Sequence, residues 1–364
     1  MKLSCTQENL NKGLGIVSHI ANKNNNLPIL NNVHIKANKN GLILTTTDLE
    51  IGIKVFVRAK VDEEGEFTVG AKLLNDFIAL LPRENIDLEL EDNAILIKSQ
   101  RQKTSVKGVD AEDFPLIPDI EKENEVEINV LEFKRALSQL IFAASLDSSR
   151  LEINAVNFNF FKDELVLVAT DSYRLAEKKL KISNEQEKSL IVPLKTIQEL
   201  VRILSDQEKQ TIKLYFNENQ IMFVFDGVEL ISRVIDGAYP DYKQIIPEKF
   251  ITSAKCAKDK LIPAIKSAAL FCKQGINDVR LSFANNEIVV AAASSGLGEN
   301  IISVPAEISG EENDIVFNYR YLLDGLLNLG VQDLCLKINN NSTPGLLTPD
   351  KHDDYLYLIM PIKQ

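Results

Sequence analysis

Ile153–Leu180 reads INAVNFNFFKDELVLVATDSYRLAEKKL, and two other stretches of the chain line up with it. Leu30–Val57 reads LNNVHIKANKNGLILTTTDLEIGIKVFV, and Ile276–Val304 reads INDVRLSFANNEIVVAAASSGLGENIISV. Asn32, Asn154 and Asn277 correspond at steps of 122 and 123 residues, and Asp48, Asp171 and Ser294 at steps of 123. The next blocks follow in the same order: FTVGAKLLNDFIALLP from Phe67, LIVPLKTIQELVRILS from Leu190 and IVFNYRYLLDGLLNLG from Ile315. Phe114-Pro115 and Tyr239-Pro240 close the first two copies. A repeat this long is a domain rather than a solenoid unit. The 364 residues therefore divide into three similar domains, 1–123, 124–251 and 252–364.

Within each copy the apolar period changes in a fixed order. Leu10, Leu14, Val17 and Ala21 have helical spacing, as do Phe133, Leu137, Leu140, Ile141 and Ala144, and Leu261, Ile265, Ala268, Ala269 and Cys272. These predict helices over Gln7–Lys23, Leu131–Ser145 and Ala257–Lys273, with Pro263 in a first turn that follows Asp259. Alternating residues then predict strands, such as Val33/Ile35/Ala37 and Leu49/Ile51/Ile53/Val55/Val57. A second helix follows in each copy (Ala71–Arg83, Leu194–Arg202, Asn318–Leu329), and then a closing strand pair. In the third copy that pair is Leu334–Ile338 with Tyr355–Met360. Two helices against an antiparallel sheet, three times in tandem, make the fold class α+β.

Composition narrows the function. The chain is 45% hydrophobic and 26% charged, an ordinary globular mix. Charged residues interrupt every apolar run before the roughly 18 residues a membrane span needs. Met1–Leu10 has a single lysine and no apolar core, so no leader is expected and the protein is read as cytoplasmic. Cys5, Cys256, Cys272 and Cys335 stand far apart, and His19, His34 and His352 show no ligand spacing, so neither a metal nor a cofactor is expected. No phosphate loop, nucleophile–base pair or metal cluster is recognisable, which leaves an enzyme without catalytic residues.

The net charge is −11, yet the six predicted helices together carry +7 and the remainder −18. Positive helices on an acidic body suit a surface that holds phosphate loosely at one face. The same pattern also fits ordinary solvated lysines.

MKLSCTQENL at the start, LPIL at Leu27–Leu30, TDLE at Thr47–Glu50, ATDSYRLA at Ala169–Ala176, GAYPDY at Gly237–Tyr242 and YLIMPIK at Tyr357–Lys363 together resemble the bacterial DNA polymerase III β subunits, the replicative sliding clamps. The resemblance spans the whole chain, in order. It implies the DNA clamp fold and a head-to-tail homodimer that closes a ring around double-stranded DNA without reading its sequence. It also implies no catalysis. The implied partners are a clamp loader, the replicative DNA polymerase alpha subunit and other proteins bearing a clamp-binding peptide motif. A peptide-recruiting scaffold that never encircles DNA is the rival reading.

The resemblance also implies sites. A partner-peptide pocket would take Ile153, Thr170, Ser172, Tyr173, Arg174, Leu175, Pro240, Gln244, Ile245, Ser342, Pro344, Leu358, Met360, Pro361 and Ile362. DNA-facing residues would include Lys12, Lys134, Lys195, Arg202, Lys258, Lys266 and Lys273 on the helices. Lys23 and Asn24 in the loop Asn22–Asn26 and Arg150 after Asp147 would lie at the pore rim. The dimer contact would set Thr104 and Val106, near Leu73, Ile78 and Leu81, against Leu270, Phe271 and Leu297–Val304, with Arg101 and Lys103 facing Glu299. Filling their own domain cores is the other reading of these apolar residues. Many relatives carry Gly-His where this chain has Ser172-Tyr173, which implies a narrower entrance, and some carry a basic residue in place of Gln244. Asp48 and Asp171 read as turn residues bonding local backbone rather than as peptide contacts.

Overall fold

The computed structural model describes residues 1–21, 27–118, 120–122, 125–204, 206, 210–272 and 275–363. Each copy supplies two of the six helices among these residues: α1 Gln7–Val17, α2 Ala71–Leu80, α3 Val130–Ser138, α4 Leu194–Ile203, α5 Lys258–Ala269 and α6 Tyr319–Asn328. Their ends correct the sequence reading in three places. α1 stops at Val17 because the Ser18 hydroxyl and N–H both donate to Leu14 O, and Arg202 takes the carbonyls of Gly15 and Ile16. Carbonyls taken this way cap a last turn. α3 ends at Ser138, whose hydroxyl bonds Lys134 O, and Ile141–Ala143 is a separate 3-10 turn. α5 begins at Lys258, whose N–H is satisfied by Gln332 O, so Asp259 is not its cap and Pro263 falls in the second turn.

The chain packs into two compact units, Met1–Leu131 with Arg202–Val234, and Glu132–Val201 with Ile235–Gln364. The units cut across the repeat because sheets continue from one copy into the next. In the first unit Asn32–Asn38, Gly41–Thr47 and Ile51–Val57 form an antiparallel meander. Ile51–Val57 then pairs with Val228–Arg233, and the sheet runs on through Gln220–Phe225, Thr211–Phe216 and Val126–Asn129. Beyond Asn32–Asn38 lie Gly65–Gly70, Lys103–Val109, Ala94–Lys98, Asn85–Glu91, Lys2–Thr6 and Lys60–Glu63, making 13 strands.

The second unit repeats the meander with Ala155–Phe160, Glu164–Thr170 and Arg174–Lys181. Arg174–Lys181 pairs with Tyr355–Ile359, as Ile51–Val57 does with Val228–Arg233. Even the exit bonds match: Met360 N–H donates to Tyr173 O at 2.9 Å, and Arg233 N–H to Glu50 O at 3.0 Å. Asp333–Ile338 does not pair with Tyr355–Ile359 as expected, because Gly345–Pro349 lies between them. Pro344, Gly345 and Pro349 punctuate that short strand, so its Leu346-Leu347 core reads locally as loop. A separate four-stranded sheet runs Gly298–Pro305, Glu287–Ser294, Asp278–Ala284, Asn313–Asn318.

Alternation in the strands and helical spacing in α1–α6 send their apolar faces into these cores. Phe133, Phe158, Phe160, Phe223, Phe283, Phe317 and Tyr357 are fully buried. One glycine is there for close approach: a Cβ on Gly52 would sit 2.6 Å from Ile117 Cδ1. Gly52→Ala is therefore expected to lose about 1–3 kcal/mol by overpacking, read as a lower Tm. An unchanged Tm would mean that Ile117 swings aside freely.

Candidate functional site

The Thr-Asp turns that open the argument from sequence are built alike in two copies. In the first, Thr47 Oγ1 donates to Ile51 O and Asp48 Oδ1 accepts from Glu50 N–H and Ile51 N–H at 3.0 and 2.8 Å. In the second, Thr170 Oγ1 donates to Arg174 O, and Asp171 Oδ1 accepts from Tyr173 N–H and Arg174 N–H at 2.9 and 3.0 Å. Between them Leu49 and Ser172 sit at φ of 77° and 79°, left-handed positions that these side-chain bonds hold in place. Leu49 is thus an exposed turn residue and not the start of a strand. The third copy substitutes another turn, with Leu297 N–H bonded to Ser294 O and Gly298 at φ 98°.

What distinguishes the second turn is Arg174. Its Nε donates to Asp171 Oδ2 at 2.9 Å and its NH1 to Asp324 Oδ2 of α6 at 2.5 Å. The guanidinium lies 4.6 Å from the Tyr321 ring centroid and 5.6 Å from that of Phe142. Burial works against its charge, but Tyr357, Asp324 and Asp171 outweigh it and push its pKa up. Arg174 therefore ties a turn to α6. Tyr173 beside it is 62% exposed and stacks on Tyr321 at 6.5 Å.

Next to this corner is an apolar cluster of Val166, Val168, Leu175, Tyr242, Leu346 and Leu358, flanked by Phe161, Tyr239, Ile246, Phe250, Leu356 and Met360. It brings together three expected residues: Leu175 and Leu358 are its floor, and Met360 is half-buried at its edge. Ile153 is buried, with its carbonyl accepting from Ser145 N–H, which also reaches Thr170 O. Pro240 and Ile245 are exposed on the segment after Tyr239, where Gln244 bonds Asp241 at 2.7 Å. Ser342 is turned onto Asn340, Pro344 is buried, and Pro361 and Ile362 are half-buried, with Ile362 N–H on Val316 O. Sequence reasoning missed Tyr242, Leu346, Glu177 and Asp324. Tyr242 stands within the quoted GAYPDY, and Asp324 is the one acid of α6, with no local signal that links it to Arg174.

Several expected DNA-facing residues are engaged within the chain. Lys12 pairs with Asp226 at 2.7 Å, Arg202 caps α1, and Arg150 donates to Ser172 Oγ at 2.9 Å. Lys195 and Lys266 are exposed, Lys134 and Lys258 half-buried, while Lys23, Asn24 and Lys273 lie outside the described residues.

The expected dimer residues divide. Ile78, Leu81 and Val106 are 0%, 6% and 4% exposed, so they fill the core of their own unit, the second of the two readings, and offer no exposed side chain for a partner. Leu73 and Leu270 are 62% and 74% exposed, joined by Leu80, Leu297 and Ile301. Arg101, Lys103 and Glu299 are exposed; Thr104 and Phe271 are half-buried. Lys103–Val109 meets Gly65–Gly70 only at Gly108 and Val109, so one edge of Lys103–Lys107 carries no partner strand among the described residues. Gly298–Pro305 likewise ends its sheet.

No group of three or more potential metal ligands occurs among the described residues. All four cysteines are buried. Burial pushes the Cys5 and Cys256 thiols up to about 12 and Cys272 to about 11, which keeps them protonated. No described helix is long and apolar enough to cross a membrane.

Residues 1–118, 127–241 and 243–363 match the N-terminal, central and C-terminal domains of the DNA polymerase III beta subunit. The beta sliding clamp of Synechococcus elongatus is 33% identical, with 100% of this chain and 99% of that protein covered. That of Staphylococcus aureus is 30% identical over 93% of this chain and 92% of its own length. The Bacillus subtilis sliding clamp structure superposes with a TM-score of 0.96 at 26% identity, covering 100% of this chain and 99% of that one. A Pseudomonas aeruginosa clamp bound to griselimycin gives 0.95 at 27% identity, covering both chains fully. Matches that cover all three copies, in order and at full length, place the chain in the DNA polymerase III beta subunit family, the bacterial sliding clamps.

Proposed function

We propose that two copies of the chain associate head to tail into a ring that encircles duplex DNA and slides along it, holding the replicative polymerase at its template. The observation that carries this reading is the pair of open strand edges, Lys103–Lys107 in the first copy and Gly298–Pro305 in the third. Each lies in a different copy, so pairing one with the other joins unlike surfaces, and such contacts close into a ring when the rotation between copies closes. Exposed Leu270, Leu297 and Ile301 give the third-copy edge an apolar patch of the kind monomers avoid. In this reading the domains divide at 123/124 and 251/252, and the protein works in the cytoplasm. It performs no catalysis and needs no cofactor. Exposed Lys195 and Lys266, with Lys134 and Lys258, supply loose attraction to phosphate that does not fix the ring to a sequence.

The cluster around Leu175, Leu358 and Met360 is the proposed seat for apolar peptides from the polymerase alpha subunit, the clamp loader and other partners. Met360 suits that task because an unbranched thioether repacks around different side chains. Griselimycin, which the Pseudomonas clamp binds, is the probe for this site. Arg174, fixed by its two ion pairs, stands at the corner beside that cluster as part of the proposed seat.

The ring itself is tested by topology. The clamp is loaded on nicked circular DNA by its loader with ATP, and the circle is then cut. Loss of protein on linearisation is expected, since a ring slides off a free end. Retention after the cut would mean direct contact binding and would remove the ring from the mechanism.

A further inference from the structure

Tyr242 lies in the segment that carries Pro240, Gln244 and Ile245, and it is that segment's buried anchor. Its residue is 7% exposed and packs with Val166, Val168, Leu175, Leu346 and Leu358. Its hydroxyl donates to Glu177 Oε2 at 2.6 Å. Glu177 is also 7% exposed and stands two residues beyond Leu175 on the strand Arg174–Lys181, hence on the same face. Burial, followed by the bond to Glu177, pushes the Tyr242 phenol up, so it remains a donor throughout the physiological range.

A buried carboxyl group costs stability that an apolar residue would not. The first unit shows how the same junction is packed without one. Counting from Phe114-Pro115 and from Tyr239-Pro240, Ile117 holds the place of Tyr242. Counting from Asp48 and Asp171, Gly52 holds that of Leu175 and Lys54 that of Glu177. Ile117 simply seats against Gly52 and joins the apolar cluster of Ile120, Tyr215, Met222 and Ile231. An aliphatic side chain is thus enough to fasten the segment, and the phenol–carboxyl pair must do something packing does not.

An apolar contact is non-directional, whereas an O–H···O bond fixes both distance and angle. We infer that Tyr242 and Glu177 are a positioning pair, fixing the height and register of the segment so that Pro240, Gln244 and Ile245 stand ready as one wall of the peptide seat. Tyr239 and Ile246 pack on either side of the four-residue 3-10 turn Tyr242–Ile245, and Tyr239 Oη makes a longer bond, 3.4 Å, to Val168 O, so the bond from Tyr242 to Glu177 is the short side-chain bond from the turn itself to the strand. Holding the segment in advance removes an ordering cost that binding would otherwise meet. This inference rests on the peptide-seat reading above.

Griselimycin, titrated calorimetrically into the full-length protein, separates the possibilities. Tyr242→Phe and Glu177→Ala are each expected to weaken Kd roughly fivefold to tenfold, the loss of one net hydrogen bond, with Tm within a few degrees of wild type. The double variant is expected to bind no more weakly than either single one, since both remove the same interaction. Glu177→Gln keeps an acceptor oxygen and is expected to recover most of the affinity. A lowered Tm with wild-type Kd in the folded protein would assign the pair a purely structural role and overturn the inference. So would wild-type Kd in Tyr242→Phe when Met360→Asp has lost binding. Wild-type Kd in Met360→Asp itself would overturn the peptide seat, and this inference with it.

Discussion

Arg174→Ala is expected to destabilise the protein by about 3 kcal/mol, the lower end for breaking a buried ion pair. The substitution leaves Asp171, whose side chain is 14% exposed, with Oδ2 deprived of its partner. Asp324 is 44% exposed and recovers water, which is why the upper end is not expected. The lost stacking on Tyr321 adds to the effect. Arg174→Lys restores a charge but not the planar fork that serves two carboxylates at once, so its Tm should fall between the two. Differential scanning calorimetry reads both. Equal melting of Arg174→Ala and wild type would show that the turn at Thr170–Arg174 and α6 are held together by packing alone.

Ile301→Asp is expected to turn the dimer into monomers and abolish retention on circular DNA. Ile301 is 62% exposed on the end strand Gly298–Pro305, so the isolated chain tolerates a charge there and should keep its Tm. In the proposed ring the same carboxylate replaces an apolar contact and loses water on pairing, a cost that weakens dimer Kd by at least ~100-fold. Sedimentation equilibrium gives the mass, and the circular-DNA assay gives the function. A dimer of wild-type strength would exclude this edge from the contact. Val106, buried in its own sheet, is unsuitable for the equivalent test in the first copy, because a charge there disrupts the fold itself.

Burial decides which residues of the peptide seat can carry a charge. A charge at Leu175 has the appeal of reaching the peptide seat, but Leu175 is 1% exposed between paired strands. Met360, half-buried at the rim, carries the test without unfolding the sheet.

The sequence by itself determined whatever is encoded within about thirty residues and repeated. The triplication, the three-strand meander, the two helices per copy and the Thr-Asp turns follow from local periodicity and short side chains bonding nearby backbone, as Asp48 and Asp171 do. The tertiary structure decided what depends on partners far along the chain. Arg174 meets Asp324, 150 residues away, and Tyr242 meets Glu177, 65 residues away, pairs that no spacing rule connects. Pairing of Arg174–Lys181 with Tyr355–Ile359, and the insertion of Gly345–Pro349 beside it, likewise join segments far apart in the chain. Alternation tells a strand which face to bury, and it is equally satisfied by any neighbour in register. That is why alternation left Ile78, Leu81 and Val106 open to either reading until the fold placed them in the core, with Leu270 and Ile301 exposed.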